Sequence, residues 1–302
     1  MTPNFLLIGA EKSGTTWLYD RLRRHPDVFM PEVKEIHYFN RLNSNLNPRG
    51  NYKKHDITWY RDHFRRKGNE RAVGEATPMY LCDEAAPERI RRHLPDVKLI
   101  ASLRYPTERA YSHYWMARGK EHTDLEFADV VSRRDDRFIR RGQYGRQLDR
   151  YLSLFGEDQL FVLIHEELFS KPSECLNAVC SFLEVDDGFY REQSWMTETV
   201  HQASKVRSTL LQETINTTTK WMRDHEGFRQ ILDMVKKIGV ADRIKRANKA
   251  TREYPEMPDH LRRELDAFYV STVQRVEEIL GRRIDVWRER AEMPVPEPGS
   301  DQ

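Results

Sequence analysis

Four short apolar runs punctuate the chain up to residue 164. They are Phe5-Leu6-Leu7-Ile8, Ala72-Val73-Gly74 leading into Glu75-Ala76-Thr77-Pro78, Val97-Lys98-Leu99-Ile100-Ala101-Ser102-Leu103, and Leu160-Phe161-Val162-Leu163-Ile164. Each is short, apolar on consecutive rather than alternate positions, and bounded by Gly, Pro or polar residues. That is the pattern of strands covered on both faces, as in a parallel sheet. Between them the apolar spacing changes to three and four. Thr15 to His25 carries Leu18 and Leu22 on one face and stops before Pro26; further helices are predicted over Ile57–Phe64, Ala85–His93, Thr107–Met116 (opened by Pro106), Leu125–Ser132 and Arg146–Phe155. Pro172 opens another, through Leu176, Val179, Cys180 and Leu183. Strands alternating with helices predict an α/β fold, a central mainly parallel sheet of about four to five strands between layers of helices.

The rest of the chain reads differently. Arg41 to Asp56 is rich in Asn, Pro, Gly and Lys, a loop long enough to act as a lid or substrate-contacting segment. Tyr190 to Arg246 is helical and polar, Pro255 and Pro258 bracket a turn, and Leu261 to Leu280 is a long amphipathic helix. No repeat or composition break interrupts the chain, so a single domain over 1–292 is expected. A Pro-rich tail over 293–302, with Pro294, Pro296 and Pro298, is expected to be disordered.

Composition narrows the functional classes. Fifty Lys and Arg balance 48 Asp and Glu, a net charge of +2, which gives no reason to expect a nucleic-acid partner. Local basic clusters (Arg21, Arg23, Arg24, and Arg243, Lys245, Arg246, Lys249, Arg252) read as solvated helix faces or as the lining of an anion pocket. The three cysteines, Cys82, Cys175 and Cys180, are too few and too scattered for a disulfide framework, and they fit a reducing cytoplasm; none has His partners at metal-ligand spacing. No apolar run approaches a bilayer-spanning length, and Met1-Thr2-Pro3-Asn4 enters the first strand without a leader pattern, so a cytoplasmic protein without stable membrane insertion is expected.

The chemistry concentrates in Gly9-Ala10-Glu11-Lys12-Ser13-Gly14-Thr15-Thr16-Trp17. A buried strand, a tight turn and a helix start follow one another, which aims backbone N–H groups and the positive end of a helix dipole at one point and suits an anion. Gly9 and Gly14 have the spacing of a nucleotide-binding P-loop, but Thr15 stands where that motif places its lysine, and the lysine lies ahead of the second glycine, at position 12. No apolar strand ends in a metal-holding Asp, as a P-loop kinase or NTPase would require. Such an enzyme, or a non-catalytic nucleotide-binding protein, is the alternative reading.

The run Lys12-Ser13-Gly14-Thr15-Thr16-Trp17-Leu18 resembles the 5′-phosphosulfate loop of sulfotransferases that use 3′-phosphoadenosine 5′-phosphosulfate (PAPS). Three further blocks follow in that family's order. Arg104-Tyr105-Pro106 with Arg109-Ala110 and Ser112 resembles its 3′-phosphate segment. Lys34-Glu35-Ile36-His37-Tyr38-Phe39 resembles the Lys-Glu-x-His-Phe-Phe segment of the heparan-sulfate-type branch and its bacterial relatives. Lys249-Ala250-Thr251-Arg252-Glu253-Tyr254-Pro255-Glu256-Met257 resembles a loop closing over the 3′-phosphate, with Thr251 in place of its glycine and Ala250 in place of its adjacent lysine. Where the polysaccharide enzymes carry Glu-Lys-Thr-Pro, this chain has Glu75-Ala76-Thr77-Pro78, without the cation.

The resemblance implies a P-loop-like three-layer domain and a metal-independent reaction with PAPS as donor and 3′,5′-adenosine bisphosphate (PAP) as product. It implies Lys12 on the bridging oxygen, with Ser13, Gly14, Thr15 and Thr16 around the phosphosulfate. Arg104 and Ser112 would hold the 3′-phosphate, with Lys249 and Arg252 closing over it. Glu35 would be the base toward the acceptor, with His37 as the competing base. Trp17 either stacks on the adenine or fills the core under its helix. The acceptor would be a hydroxyl or amine of a small molecule, glycan or lipid, in a cleft shaped by Asn40 to Trp59 together with Tyr52, His55 and Tyr60. The sequence is silent on oligomeric state.

Overall fold

The computed structural model describes residues 2–41, 52–65, 68–120, 122–190, 204–206, 249–251 and 254–291. They fall into two compact units, residues 1–200 with 257–302, and residues 201–256. The sequence shows no composition change at either boundary.

The first unit is built on a five-stranded, wholly parallel sheet in the order β2-β3-β1-β4-β5. The strands are β1 (Phe5–Gly9), β2 (Val28–Phe29), β3 (Ala72–Ala76), β4 (Lys98–Leu103) and β5 (Leu160–Ile164). The alternation of β1 explains its unbroken apolar run. Leu6 and Ile8 enter one core with Leu99, Ala101 and Leu103. Phe5 and Leu7 enter the opposite core with Ala72, Ala76 and Ile100. On the first face pack α3 (Ala86–His93), α6 (Tyr144–Leu152), α9 (Asp259–Leu280) and α10 (Asp285–Arg290) through Ile90, Leu148, Val276 and Trp287. On the second lie α1 (Thr15–Leu22) and α8 (Pro172–Leu183), through Leu18, Leu22, Leu176 and Val179. The expected three-layer α/β fold is therefore present.

Several boundaries differ from the pattern reading. α1 stops at Leu22 rather than His25: Arg24 and His25 donate to carbonyls only three residues back, because the residue ahead of Pro26 is pushed out of the helical region. Ile57–Phe64 divides into α2 (Ile57–Arg61) and a 3₁₀ turn over Asp62–Phe64. The Thr107–Met116 helix is α4 (Pro106–Arg118), and α5 (Phe127–Ser132) starts two residues after Leu125. β2, with two residues, is too short to carry a periodic signal, and α7 (His165–Ser170) follows β5 without a connecting loop. Arg21 is a correction of another kind. It is fully buried with its guanidinium over the Trp17 ring, and only Arg23 and Arg24 of that basic cluster face solvent.

In the second unit, β6 (Ser204–Val206) pairs antiparallel with β7 (Lys249–Thr251). Lys249 thus stands on a strand. Arg252, most of the polar 190–246 region and the 293–302 tail lie outside the described residues.

Candidate active site

The sheet order puts a topological switch at β1: the chain fills positions to one side as β3 and β2, then crosses to the other side with β4. In open parallel sheets ligands bind at the carboxyl ends of the strands on either side of such a point. The predicted anion loop leaves β1 there. Ala10 N donates to the Ser102 carbonyl (2.7 Å), Ser102 Oγ donates to the Ser13 carbonyl (2.6 Å), and Leu81 N donates to the Ile8 carbonyl (2.8 Å). The loop is therefore clamped between the ends of β4 and of β3.

Two glycines are required by this packing. A Cβ on Gly9 would lie 2.5 Å from that of Leu81. Gly14 has φ +80°, and a Cβ there would come within 3.0 Å of His165 Nδ1 and Phe169 Cε2. Gly14 is the N-cap of α1 and offers no side chain, which leaves the first-turn amides of the helix uncapped. Lys12 itself takes a positive φ of 69°. Among the described residues its ammonium reaches only Met116 Sδ, at 3.7 Å, and no carboxylate. Burial, followed by the fields of Arg104 and Lys120, pushes Lys12 below the ordinary lysine range.

Arg104 leaves the end of β4, its backbone carbonyl accepting from Tyr144 Oη at 3.0 Å. Its guanidinium stands 3.7 Å from Glu108 on the next helical turn, and its buried Nε has no hydrogen-bond partner. Glu108 is shared with Arg262 of α9, at 2.8 Å. Ser112 lies half-buried further along α4. The geometry thus brings Lys12, Arg104 and the α1 N-terminus to the same edge of the sheet.

Glu35 and His37 sit on the segment that crosses the end of β3. Glu35 N donates to the Ala76 carbonyl (3.0 Å), and Ala76 is fully buried, offering only backbone. Glu35 Oε1 accepts from Lys34 Nζ at 2.6 Å, and Oε2 faces His37 Nε2 at 3.4 Å. Burial pushes the Glu35 carboxyl up, but His37 and Lys34 more than offset it and hold it at about 2. Its side chain is 38% exposed against 7% for His37, so Glu35 is the more accessible of the two.

Trp17 lies in the core of the structure. It is 5% exposed, packed against Phe169 with centroids 5.4 Å apart and beneath Arg21, rather than presented to a ligand. Near the predicted cleft, His55 and Trp59 stack at 4.2 Å, and Tyr52 Oη meets His93 Nε2 at 2.7 Å. Pattern reading missed His165. Burial, with Arg104 beside it, pushes this histidine down to about 4, so a neutral ring lies against Gly14. Its position directly after the fourth predicted strand, at a carboxyl end, was the available signal. No group of three or more His, Cys, Asp or Glu arranged to hold a metal occurs among the described residues.

The family model described as "Sulfotransferase domain" matches residues 2–240. The "Membrane-associated sulfotransferase kil1" of Dictyostelium discoideum is 37% identical over 145 residues, covering 43% of this chain and 29% of that protein. The mouse "Heparan sulfate glucosamine 3-O-sulfotransferase 6" is 32% identical over 188 residues, covering 60% of this chain and 52% of that one. The chain thus spans about half or less of these curated relatives. A crystal structure of a sulfotransferase from Alicyclobacillus acidocaldarius superposes with a TM-score of 0.67 at 26% identity, covering 95% of this chain and 99% of its own. Among the described residues of this chain no helix is long and apolar enough to cross a membrane. With a family model spanning most of its length and a matching parallel sheet, the chain belongs to the sulfotransferase family.

Proposed function

We propose that the chain transfers the sulfuryl group of PAPS to a hydroxyl or amine of a small-molecule, glycan or lipid acceptor. One observation carries this reading. Lys12 is a half-buried ammonium with no carboxylate partner among the described residues, beside a second cation, Arg104, at the start of α1. Two neighbouring cations partly withdrawn from water, one of them without a carboxylate, favour an anion between them.

In this reading the α1 amides and the Thr15 and Thr16 hydroxyls hold the phosphosulfate, and Arg104 with Ser112 takes the 3′-phosphate through a planar fork and a hydroxyl. Glu35 accepts the proton from the acceptor oxygen or nitrogen as that atom forms its bond to sulfur. The bond from sulfur to the 5′-phosphate oxygen breaks in line, its electron pair stays with the phosphate, and Lys12 neutralises the charge arriving there. The sulfuryl group carries less charge than a terminal phosphoryl group, so a lysine suffices where phosphoryl transfer recruits a metal. The heparan sulfate relative favours a glycan acceptor. Ala76 cannot supply the cation that the polysaccharide enzymes place there for the transferring group, which argues against a glycosaminoglycan-type acceptor.

Incubation with sulfur-labelled PAPS and a panel of phenols, glycosides and amines tests the reading. Label transfer with release of PAP, unchanged by a chelator, is expected. Magnesium-dependent ATP hydrolysis without affinity for PAP would assign the chain to nucleoside triphosphate chemistry instead.

A further inference from the structure

The turn that carries Glu35 and His37 is held in an unfavourable backbone conformation. Glu35 has φ 65° and His37 φ 55°, both in the left-handed region. Each such residue costs roughly 1–2 kcal/mol when it is not glycine, and survives only where its surroundings over-determine it.

The backbone amides of the turn bond to one neighbouring segment, the end of β3 and the 3₁₀ turn Pro78–Tyr80, while Arg89 donates to the Phe39 carbonyl at 2.9 Å. Beyond the Glu35 amide bond to Ala76, His37 N donates to Thr77 Oγ1 at 3.4 Å, and Tyr38 N and Phe39 N donate to Tyr80 Oη at 3.0 and 3.4 Å. Both accepting hydroxyls then give their own protons to one side chain. Thr77 Oγ1 donates to Glu75 Oε2 at 2.6 Å and Tyr80 Oη to Glu75 Oε1 at 2.8 Å; Tyr60 Oη donates to the same Oε1 at 2.9 Å. The Tyr60 ring stacks on Tyr38 at 4.9 Å and meets Phe39 edge-on at 4.9 Å, which fixes the same two residues from the side-chain direction.

The proton directions in this network are forced. An amide N–H can only donate, so Thr77 and Tyr80 must accept on that side and need an acceptor for their own protons. An ionised carboxylate takes all three hydroxyl protons. A protonated carboxyl or a carboxamide would bring a donor into a ring of donors and strand at least one hydroxyl. Glu75 is 1% exposed with hydroxyls around it, and burial raises its pKa against the pull of Thr77, Tyr80, Tyr60 and His37. The cost of burying that charge is offset by the three hydroxyl donors it satisfies.

We infer that Glu75 is a positioning residue for transfer: as the common acceptor of Thr77, Tyr80 and Tyr60, it orients the hydroxyls that lock the Glu35–Phe39 turn and thereby aims Glu35 and His37. This rests on the proposed role of that turn in proton removal.

The test uses Glu75→Gln and Thr77→Val in the full chain, with kcat, the KM for donor and acceptor, PAP affinity by calorimetry and thermal unfolding. Both variants should lose about 10- to 100-fold in kcat, the scale expected when a reacting group is misplaced by up to an ångström. PAP affinity should stay within about twofold, since Lys12 and Arg104 are untouched, and the double variant should lose little more than either single one, as members of one network do. Wild-type kcat in either folded variant, or an equal loss of kcat and PAP affinity, overturns the inference. Should Glu75→Gln fail to fold, Thr77→Val carries the test, because it keeps the β-branched shape and removes only the hydroxyl. If Glu35→Gln and His37→Ala both retain turnover, the assignment of the turn has failed. If they lose it while Glu75→Gln and Thr77→Val do not, only the positioning role has failed.

Discussion

Replacing Lys12 with methionine should make the protein more stable and nearly inactive at once. Methionine matches the lysine stem in length and is subject to the same positive φ of 69°, so the exchange removes a charge and little else. In the free protein that charge is a burden: the ammonium touches a thioether, and burial together with Arg104 and Lys120 opposes its protonation. Relief of such a functional strain typically gains about 0.5–2 kcal/mol, and each kcal/mol raises Tm by roughly 2–4 °C in a domain of about this size.

The gain has a pH signature. Because folding depresses the Lys12 pKa below 10.5, the penalty is fully present at neutral pH and fades as pH rises toward 10.5, where the unfolded chain also gives up its proton. The Tm difference between variant and wild type should shrink over that window. Catalysis should move the other way. A cation about 4 Å from the developing phosphate charge contributes about 4 kcal/mol at an effective dielectric constant of about 20, in line with the roughly 10²–10³-fold losses seen when one such group is deleted. Scanning calorimetry between neutral pH and pH 10.5, paired with labelled-PAPS turnover, measures both. A variant that melts below the wild type, or that keeps turnover within threefold, would refute the idea that Lys12 is held unpaired for an anion.

The remaining expectations concern other parts of the same edge. Glu35→Gln should lower turnover by about 10²–10⁴-fold. Since the folded Glu35 is held at about 2, the stability it contributes is present above the unfolded value of 4.5 and lost as pH falls toward 2, so the variant should be less stable than wild type at pH 7 and equal to it near pH 2 by acid titration of circular dichroism. Arg104→Ala should weaken PAP far more than adenosine 5′-phosphate in calorimetry, because only PAP carries the 3′-phosphate; equal losses would remove Arg104 from that role. Trp17→Ala should destabilise the fold by about 3–5 kcal/mol in urea, as expected for a buried aromatic, whereas a change confined to donor affinity would return Trp17 to the ligand site.

Sequence alone determined the layer architecture and singled out the loop after β1 as the candidate anion site. Phe5–Ile8 and Val97–Leu103 can be read as buried strands because a strand covered on both faces needs consecutive apolar residues, and Lys12 and Gly14 stand out because a loop that cradles an anion needs a cation and a residue free of Cβ. Local chemistry of this kind is written into adjacent positions. The tertiary structure decided what depends on distant partners. For Trp17 the sequence left adenine stacking and core packing both open, and for Arg21 a solvated face or an anion pocket; both side chains are buried, because Phe169, well over a hundred residues later, packs against the Trp17 ring and Arg21 lies over it. β2 exists only because β3 pairs with it, and His165 meets Gly14 only because β5 ends beside the loop. The Glu75 network joins α2, the end of β3 and the Glu35–Phe39 turn, and its proton directions follow from which hydroxyls meet across those elements. No spacing in the sequence encodes that meeting; the packing of the sheet against its helices does.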